Sequence, residues 1–132
     1  MSKMHLDIVT PERNVYSQEV DMVVTRAANG EIGILPKHAP LVSPLGITVV
    51  RVQNDGKEEK IAVSGGFLEV HDNRVTILAE TAELPSQIDV NRAEESKKRA
   101  EKRLQDGEGD RLRAELALKR ALNRLDVLDI LD

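Results

Sequence analysis

The chain has 132 residues, enough for one domain or a small domain with an appendage, and for a real apolar core. Its 19 Lys and Arg against 23 Asp and Glu leave a net charge of −4 with no general pull toward nucleic acid, and 2% aromatic residues offer no platform for stacking bases. Without cysteine there is no disulfide or thiolate chemistry, and without a signal-peptide pattern or an apolar run near the roughly 18 residues of a spanning helix, the sequence predicts an intracellular protein that meets a membrane only through a partner.

From the N-terminus to about Pro85 the chain has the period and punctuation of short strands. "HLDIVT" alternates from His5, "VDMVVTRA" is rich in β-branched residues, and Asn29-Gly30 is the pair preferred where both central turn residues need positive φ. Asn54-Asp55-Gly56 separates the alternating runs of "ITVVRVQNDGKEEKIAVSGG", and His71-Asp72-Asn73 marks the bend in "FLEVHDNRVTILAE". Strands at this spacing with no helix between them predict an antiparallel sandwich or barrel, so residues 1–85 read as an all-β domain.

After the turn-like "LPSQ" at Leu84 to Gln87 the pattern changes. Glycine recurs only at Gly107 and Gly109, proline does not recur, and Ala, Leu, Glu, Lys and Arg dominate, all strong helix formers. "QDGEGD" at Gln105 to Asp110 divides this segment into predicted helices over 88–104 and 110–130, which fold back on each other as an antiparallel hairpin within a domain spanning 86–132. The second helix carries a stripe of Ala114, Ala117, Leu118, Ala121, Leu122, Leu125 and Leu128, while the first offers only Ile88, Ala93, Ala100 and Leu104. A seam so rich in alanine buries little area, which makes the hairpin marginal and a natural moving part. Straightened, about 40 helical residues would reach roughly 60 Å.

Charge is concentrated on these helices. "SKKRAEKR" at Ser96 to Arg103 has five positive charges and one negative, and Arg111 to Arg124 repeats that count. One reading is a solvated face laced by pairs such as Glu94 with Lys98; the other is that Arg92, Arg99, Arg120 and Arg124, each pair sharing a helix face, converge on an anion. "IDVNRA" at Ile88 to Ala93 starts the first helix and sets Asp89 three residues from Arg92, as helix-start residues or as ligands of something outside the helix.

Catalytic patterns are missing from the sequence. It contains no GxxxxGK[ST] or GxGxxG, and Ser64-Gly65-Gly66 reads as a strand bend rather than a nucleophile elbow, because it lacks the G-x-S-x-G frame and leads into more strand. His5, His38 and His71 have no metal-ligand spacing, so no catalytic residue and no metal ligand is assigned, and a small enzyme is set aside for want of an acid, base and nucleophile set.

Five stretches in succession, "IVTPERNVY" at Ile8 to Tyr16, "GEIGILPKHAPLV" at Gly30 to Val42, "SGGFLEV" at Ser64 to Val70, "VTILAE" at Val75 to Glu80 and "RAELALKRALNRL" at Arg113 to Leu125, resemble the bacterial ε subunit of the F-type ATP synthase, most of all that of bacilli. They cover nearly the whole chain. The resemblance implies an α+β architecture: a flattened antiparallel β-sandwich of about ten strands, then an antiparallel two-helix hairpin. It implies a non-catalytic subunit of the central rotor stalk, peripheral on the cytoplasmic face of the cell membrane, whose sandwich meets the γ subunit and the c-subunit ring and helps couple proton flow to ATP synthesis. The hairpin would switch between a form folded on the sandwich and an extended form that reaches the α and β catalytic subunits and restrains ATP hydrolysis.

In the same family an I/L-D-x-x-R-A motif binds ATP between the sandwich and the folded hairpin. Carried over by position, Glu83, Ile88, Asp89, Arg92 and Ala93 match the motif region, and Arg99, Arg120 and Arg124 match the basic positions on the phosphate side. Ile88 and Ala93 would then pack the adenine, Glu83 and Asp89 accept its polar hydrogens, and the arginines take the phosphates; the resemblance leaves open whether magnesium comes with the nucleotide. Glu31 and His38 match the loop that meets the rotor. Where the family has glycine in "LPGHAP" this chain has Lys37, at a position where glycine would serve a positive φ or a close approach. The rival expectation is a free-standing adaptor that presents its basic hairpin to acidic partners without a nucleotide.

Overall fold

The computed structural model describes residues 2–107 and 109–129. Its strands are β1 (Met4–Val9), β2 (Asn14–Val20), β3 (Met22–Ala27), β4 (Gly30–Ile34), β5 (Leu41–Asn54), β6 (Lys57–His71) and β7 (Arg74–Glu83). They form one sheet in the order β2-β1-β7-β6-β5-β3-β4. The pairs are antiparallel except β1 with β7, which run parallel, so the sheet is mixed rather than wholly antiparallel. The sheet folds over on itself: Leu6, Val20, Val23, Ile34, Val50 and Ile77, all fully buried and drawn from six different strands, belong to one core. Tyr16 of β2 approaches Glu59 of β6 at 3.5 Å although several strands separate them in the sheet order.

The fold-over has a visible cause in the three long strands. In β5 the buried set runs Ser43, Leu45 and then Thr48, Val50, Val52; in β6 Ile61, Val63 and then Leu68, Val70; in β7 Val75, Ile77, Ala79 and then Ala82. Each strand slips by one residue, and the ladders skip the same places, passing from Leu45↔Gly66 to Ile47↔Ser64 and from Gly66↔Ala79 to Ser64↔Thr81. A strand of period two can change its buried side only through such a slip. Gly46, Gly65 and Glu80 therefore lie along a crease across β5, β6 and β7 that lets both halves of the sheet turn their inner faces to one core. Seven continuous strands replace the expected ten, because three of them run through the crease and serve on both sides of it. Gly66 sits beside it at φ +117°, where a Cβ would collide with the carbonyl oxygen of Leu78.

Two-residue turns close three of the four hairpins, β3–β4, β5–β6 and β6–β7. Between β5 and β6 the central residues Asp55 and Gly56 have φ of 52° and 78°, and between β6 and β7 Asp72 and Asn73 have 50° and 60°, as tight hairpins require. The first hairpin departs from expectation: Ala27 pairs with Gly30, so Ala28 and Asn29 make the turn and only Gly30, at φ 116°, is left-handed. Lys37 does adopt a left-handed conformation, φ 69°, without the help of glycine. Its N–H donates to Asn73 Oδ1 at 2.8 Å, and Asn73 Nδ2 donates to the Lys3 carbonyl at 2.9 Å, so a side-chain clamp holds the strained residue in place.

The core also marks its own pH limit. Burial, and then the charge of Glu59, push the Tyr16 phenol up to about 12. A raised folded pKa means that this stabilisation is complete below the unfolded value of about 10 and is lost as pH climbs from there to about 12. Because the chain has one tyrosine, phenolate absorbance reads this residue directly. A spectrophotometric titration is expected to show a midpoint near 12 in the folded chain and near 10 in denaturant; a folded midpoint near 10 would place the phenol in solvent.

After a 3₁₀ turn at Pro85–Gln87, the helices α1 (Val90–Asp106) and α2 (Arg111–Val127) form the hairpin. Both begin later than the sequence predicts, because Asp89 and Asp110 are extended N-caps whose carboxylates accept from the N–H groups of Arg92 at 3.1 Å and Arg113 at 3.2 Å. Gly107 ends α1 in the left-handed conformation. Residue 130, at the end of the predicted second helix, and residues 131–132 of the predicted domain lie outside the described residues. The buried residues of α1 are alanines, Ala93 and Ala100, and those of α2 are Ala114 and Ala121 with Leu125 and Val127 toward its end. α2 packs on the outer face of β5 and β6, and α1 packs on α2. Among the described residues no helix is long and apolar enough to cross a membrane.

Candidate functional site

The hairpin and the sheet meet over a small apolar cluster, Ala62, Ile88, Ala93, Leu125 and Val127, in which only three side chains are larger than alanine. Polar contacts supplement it. Asn123 Nδ2 donates to the carbonyl oxygens of Thr48 at 2.8 Å and Val63 at 3.4 Å, reading the backbone of β5 and β6 on either side of their ladder. Lys60 Nζ lies 2.7 Å from Asp129 and 3.8 Å from Asp126. The hydrogen bond to Asp129 raises the Lys60 pKa against the opposing effect of burial, so the pair is intact at neutral pH.

At the edge of this junction opens a cleft of about 200 Å³ lined by Glu83, Gln87, Asp89, Arg92, Ala93, Ser96 and Arg124. Four elements supply it, the 3₁₀ turn through Gln87 among them. Glu83 is the last residue of β7; Asp89, Arg92, Ala93 and Ser96 come from the start of α1 and its cap; Arg124 comes from the last turn of α2. Arg124 Nε donates to Glu83 Oε1 at 2.6 Å with both side chains about two-thirds buried, a charge-assisted bond that ties the hairpin to the sandwich. Asp89 caps α1 with one carboxylate oxygen and still lines the cleft, so its two sequence readings are compatible.

The expected site residues fall into three groups. Glu83, Asp89, Arg92, Ala93 and Arg124 share the cleft. Arg120 lies in an adjoining crevice with Glu83 and Arg124, while Arg99 is one step removed, its Nη2 donating to Ser96 Oγ at 3.2 Å. Ile88 is buried in the apolar cluster, so in this form its side chain packs the hairpin against Ala62 rather than facing the cleft. Gln87 and Ser96 were not expected, because a neutral polar residue beside a helix start carries no sequence signal of its own. Of the two rotor-loop candidates, Glu31 on β4 is paired with Arg51 at 2.7 Å, and His38 lies beyond the end of β4, its N–H bonded to the Leu35 carbonyl at 3.1 Å.

A second surface was also not foreseen. On the far side of the crease Val42, Phe67 and Leu78 are exposed by 69, 56 and 52%, and the register sets Phe67 between Pro44 and Leu78 in one row. Adjacent large apolar side chains on a sheet face mark a contact surface. Their outward phase follows from the slip at the crease, which simple alternation does not reveal.

Comparison with known proteins gives a consistent picture. Residues 3–85 match the family described as ATP synthase, Delta/Epsilon chain, beta-sandwich domain, and residues 86–129 its long alpha-helix domain. The ATP synthase epsilon chain of Alkalihalophilus pseudofirmus is 58% identical over 130 residues, covering 96% of this chain and 98% of that one. That of Halalkalibacterium halodurans is 53% identical over 130 residues, covering 96% and 98%. Among solved structures, a chain of the Euglena gracilis mitochondrial ATP synthase, determined with its c-ring, shares the fold at a TM-score of 0.80 and 23% identity, over 98% of this chain and 81% of that one.

Proposed function

Since the chain belongs to the ATP synthase delta/epsilon chain family and matches epsilon chains over nearly its full length, we propose that it is a non-catalytic subunit of the central stalk whose hairpin is a latch closed by ATP. It acts as part of a peripheral assembly on the cytoplasmic face of the cell membrane. The apolar row of Pro44, Phe67 and Leu78 suits a lasting contact with the γ subunit, and the loop carrying Lys37 and His38, with Glu31 nearby in sequence, suits the c-subunit ring.

The observation that carries the latch is the cleft itself. One charge pair, Arg124 with Glu83, and three further ligand candidates, Asp89, Arg92 and Ala93 at the start of α1, line a space that exists only while the hairpin lies on the sandwich. Whatever binds there selects the folded form by its differential affinity. Arg92 and Arg124 supply donors for phosphate oxygens, Arg120 and Arg99 stand next to them, and Glu83 and Asp89 supply acceptors for an adenine amino group or ribose hydroxyls. A nucleotide is larger than the cleft, so part of it rests over the rim and Arg124 turns from Glu83 toward the phosphates.

Without the ligand, a seam rich in alanine, the small apolar cluster around Ile88 and Leu125 and a few polar contacts hold the hairpin. It then extends, and the basic clusters at Ser96 to Arg103 and Arg111 to Arg124 approach acidic surfaces of the catalytic subunits and restrain hydrolysis. Two measurements test the reading. Calorimetry on the isolated chain, with and without magnesium, is expected to give saturable ATP binding tighter than that of ADP; no heat at millimolar ATP removes the ligand. ATP hydrolysis by the assembled complex is expected to rise at low ATP when residues 88–132 are deleted, and unchanged hydrolysis removes the inhibitory role.

A further inference from the structure

On the other flank of α2 a groove of about 410 Å³ runs between the helix and the outer face of the sheet, within the size range of small-molecule sites. Four cations and two carboxylates line it: Arg26 on β3, Arg51 on β5, Lys60 on β6 and Lys119 on α2, with Glu31 on β4 and Asp126 on α2. The register explains how three of them meet. Arg51 pairs directly with Lys60, and Val24 pairs with Arg51, which leaves Arg26 two residues along on the same face. Like charges set opposite each other on one sheet face are unfavourable unless something negative offsets them. Glu31 offsets Arg51 at 2.7 Å, and Asp129 and Asp126 offset Lys60 at 2.7 and 3.8 Å. Arg26 sits opposite Glu31 in the β3–β4 ladder, but Glu31 turns to Arg51; among the described residues neither Arg26 nor Lys119 has a carboxylate in salt-bridge reach, and they stand one on each wall, sandwich and hairpin.

We infer that this groove is a second anion site, taking a small phosphate-bearing anion such as diphosphate between Lys119 and Arg26, with Arg51 and Lys60 sharing its charge. A multivalent anion offsets Arg26 and Lys119, the two cations here with no carboxylate in reach, and it binds both walls only when the hairpin is folded. The site shares neither Arg92 nor Arg124 with the nucleotide cleft, so the two can be tested apart. It gives the folded form a second stabilising ligand whose concentration is set independently of ATP.

The test is a titration of the full isotope-labelled chain with sodium diphosphate, followed by NMR. Saturable shifts are expected at Arg26, Lys119 and Asn123 with a Kd on the order of 0.1–1 mM. Lys119→Gln and Arg26→Gln should each weaken binding about tenfold, and Lys119→Arg should retain it. Both replaced side chains are exposed, so the fold is kept. Arg92→Ala should leave diphosphate binding here unchanged, which separates failure of this site from failure of the nucleotide reading. Absence of saturation by about 10 mM, shifts confined to Asp89 through Arg92, or no effect of Lys119→Gln overturns the proposal. Vesicles of phosphatidylglycerol are the second probe, since a lipid headgroup carries the same chemistry. No co-sedimentation is expected, and co-sedimentation lost in Lys119→Gln would assign the groove to a headgroup and overturn the free-anion reading.

Discussion

Alanine in place of Arg92 is expected to weaken ATP binding by roughly 10- to 100-fold, the effect of losing one or two charge-assisted hydrogen bonds, while leaving the hairpin's fold unchanged. The distinction is available because Arg92 serves the helix through its backbone N–H, which Asp89 caps, and the substitution keeps that group. Its side chain is exposed and no carboxylate among the described residues pairs with it, so no buried partner is orphaned. Arg124→Ala is less informative, since it strands Glu83, two-thirds buried, and loosens the hairpin whether or not a nucleotide binds. Calorimetry with circular dichroism on Arg92→Ala decides the matter: unchanged affinity removes Arg92 from the site.

The two halves of the molecule are legible because their apolar residues repeat with periods of two and about 3.6, and the composition changes at Pro85. The crease is legible only where it crosses β6, as the strand bend at Ser64-Gly65-Gly66; its course through Gly46 and Glu80 is not, since alternation arguments assume one buried face per strand. Nor is the parallel pairing of β1 with β7, which joins segments about 70 residues apart with no local signal. At the cleft, Asp89 and Arg92 stand out by their helical spacing, and the family resemblance adds Glu83 and Arg124 from distant elements. Lys60 with Asp126 and Asp129, and Asn123 with its two carbonyls, are the product of docking, and no spacing in the chain announces them.

Gly66→Ala should be the most damaging single methyl group in the sandwich. The added Cβ overlaps the Leu78 carbonyl oxygen, and φ of +117° is outside what an L residue tolerates. Neither strain is relieved without breaking the β6–β7 ladder beside the crease, so a loss of about 2–4 kcal/mol is expected. For a domain near this size that is a fall of about 10–20 °C in Tm, a large share of a stability of roughly 5–15 kcal/mol. Gly46→Ala is the control, because a Cβ there meets no atom within 4 Å and the backbone is not left-handed. Thermal unfolding of both variants checks the prediction; equal Tm values would mean that the ladder yields at Gly66.

The crease also divides the sheet's outer face. Val42, Pro44, Phe67 and Leu78 lie on one side of Gly46, Gly65 and Glu80, whereas Ala62, the Thr48 and Val63 carbonyls, Lys60 and Glu83, which receive the hairpin, lie on the other. The two surfaces share strands but not contacts. A contact can therefore form or break on one without rearranging the side chains of the other.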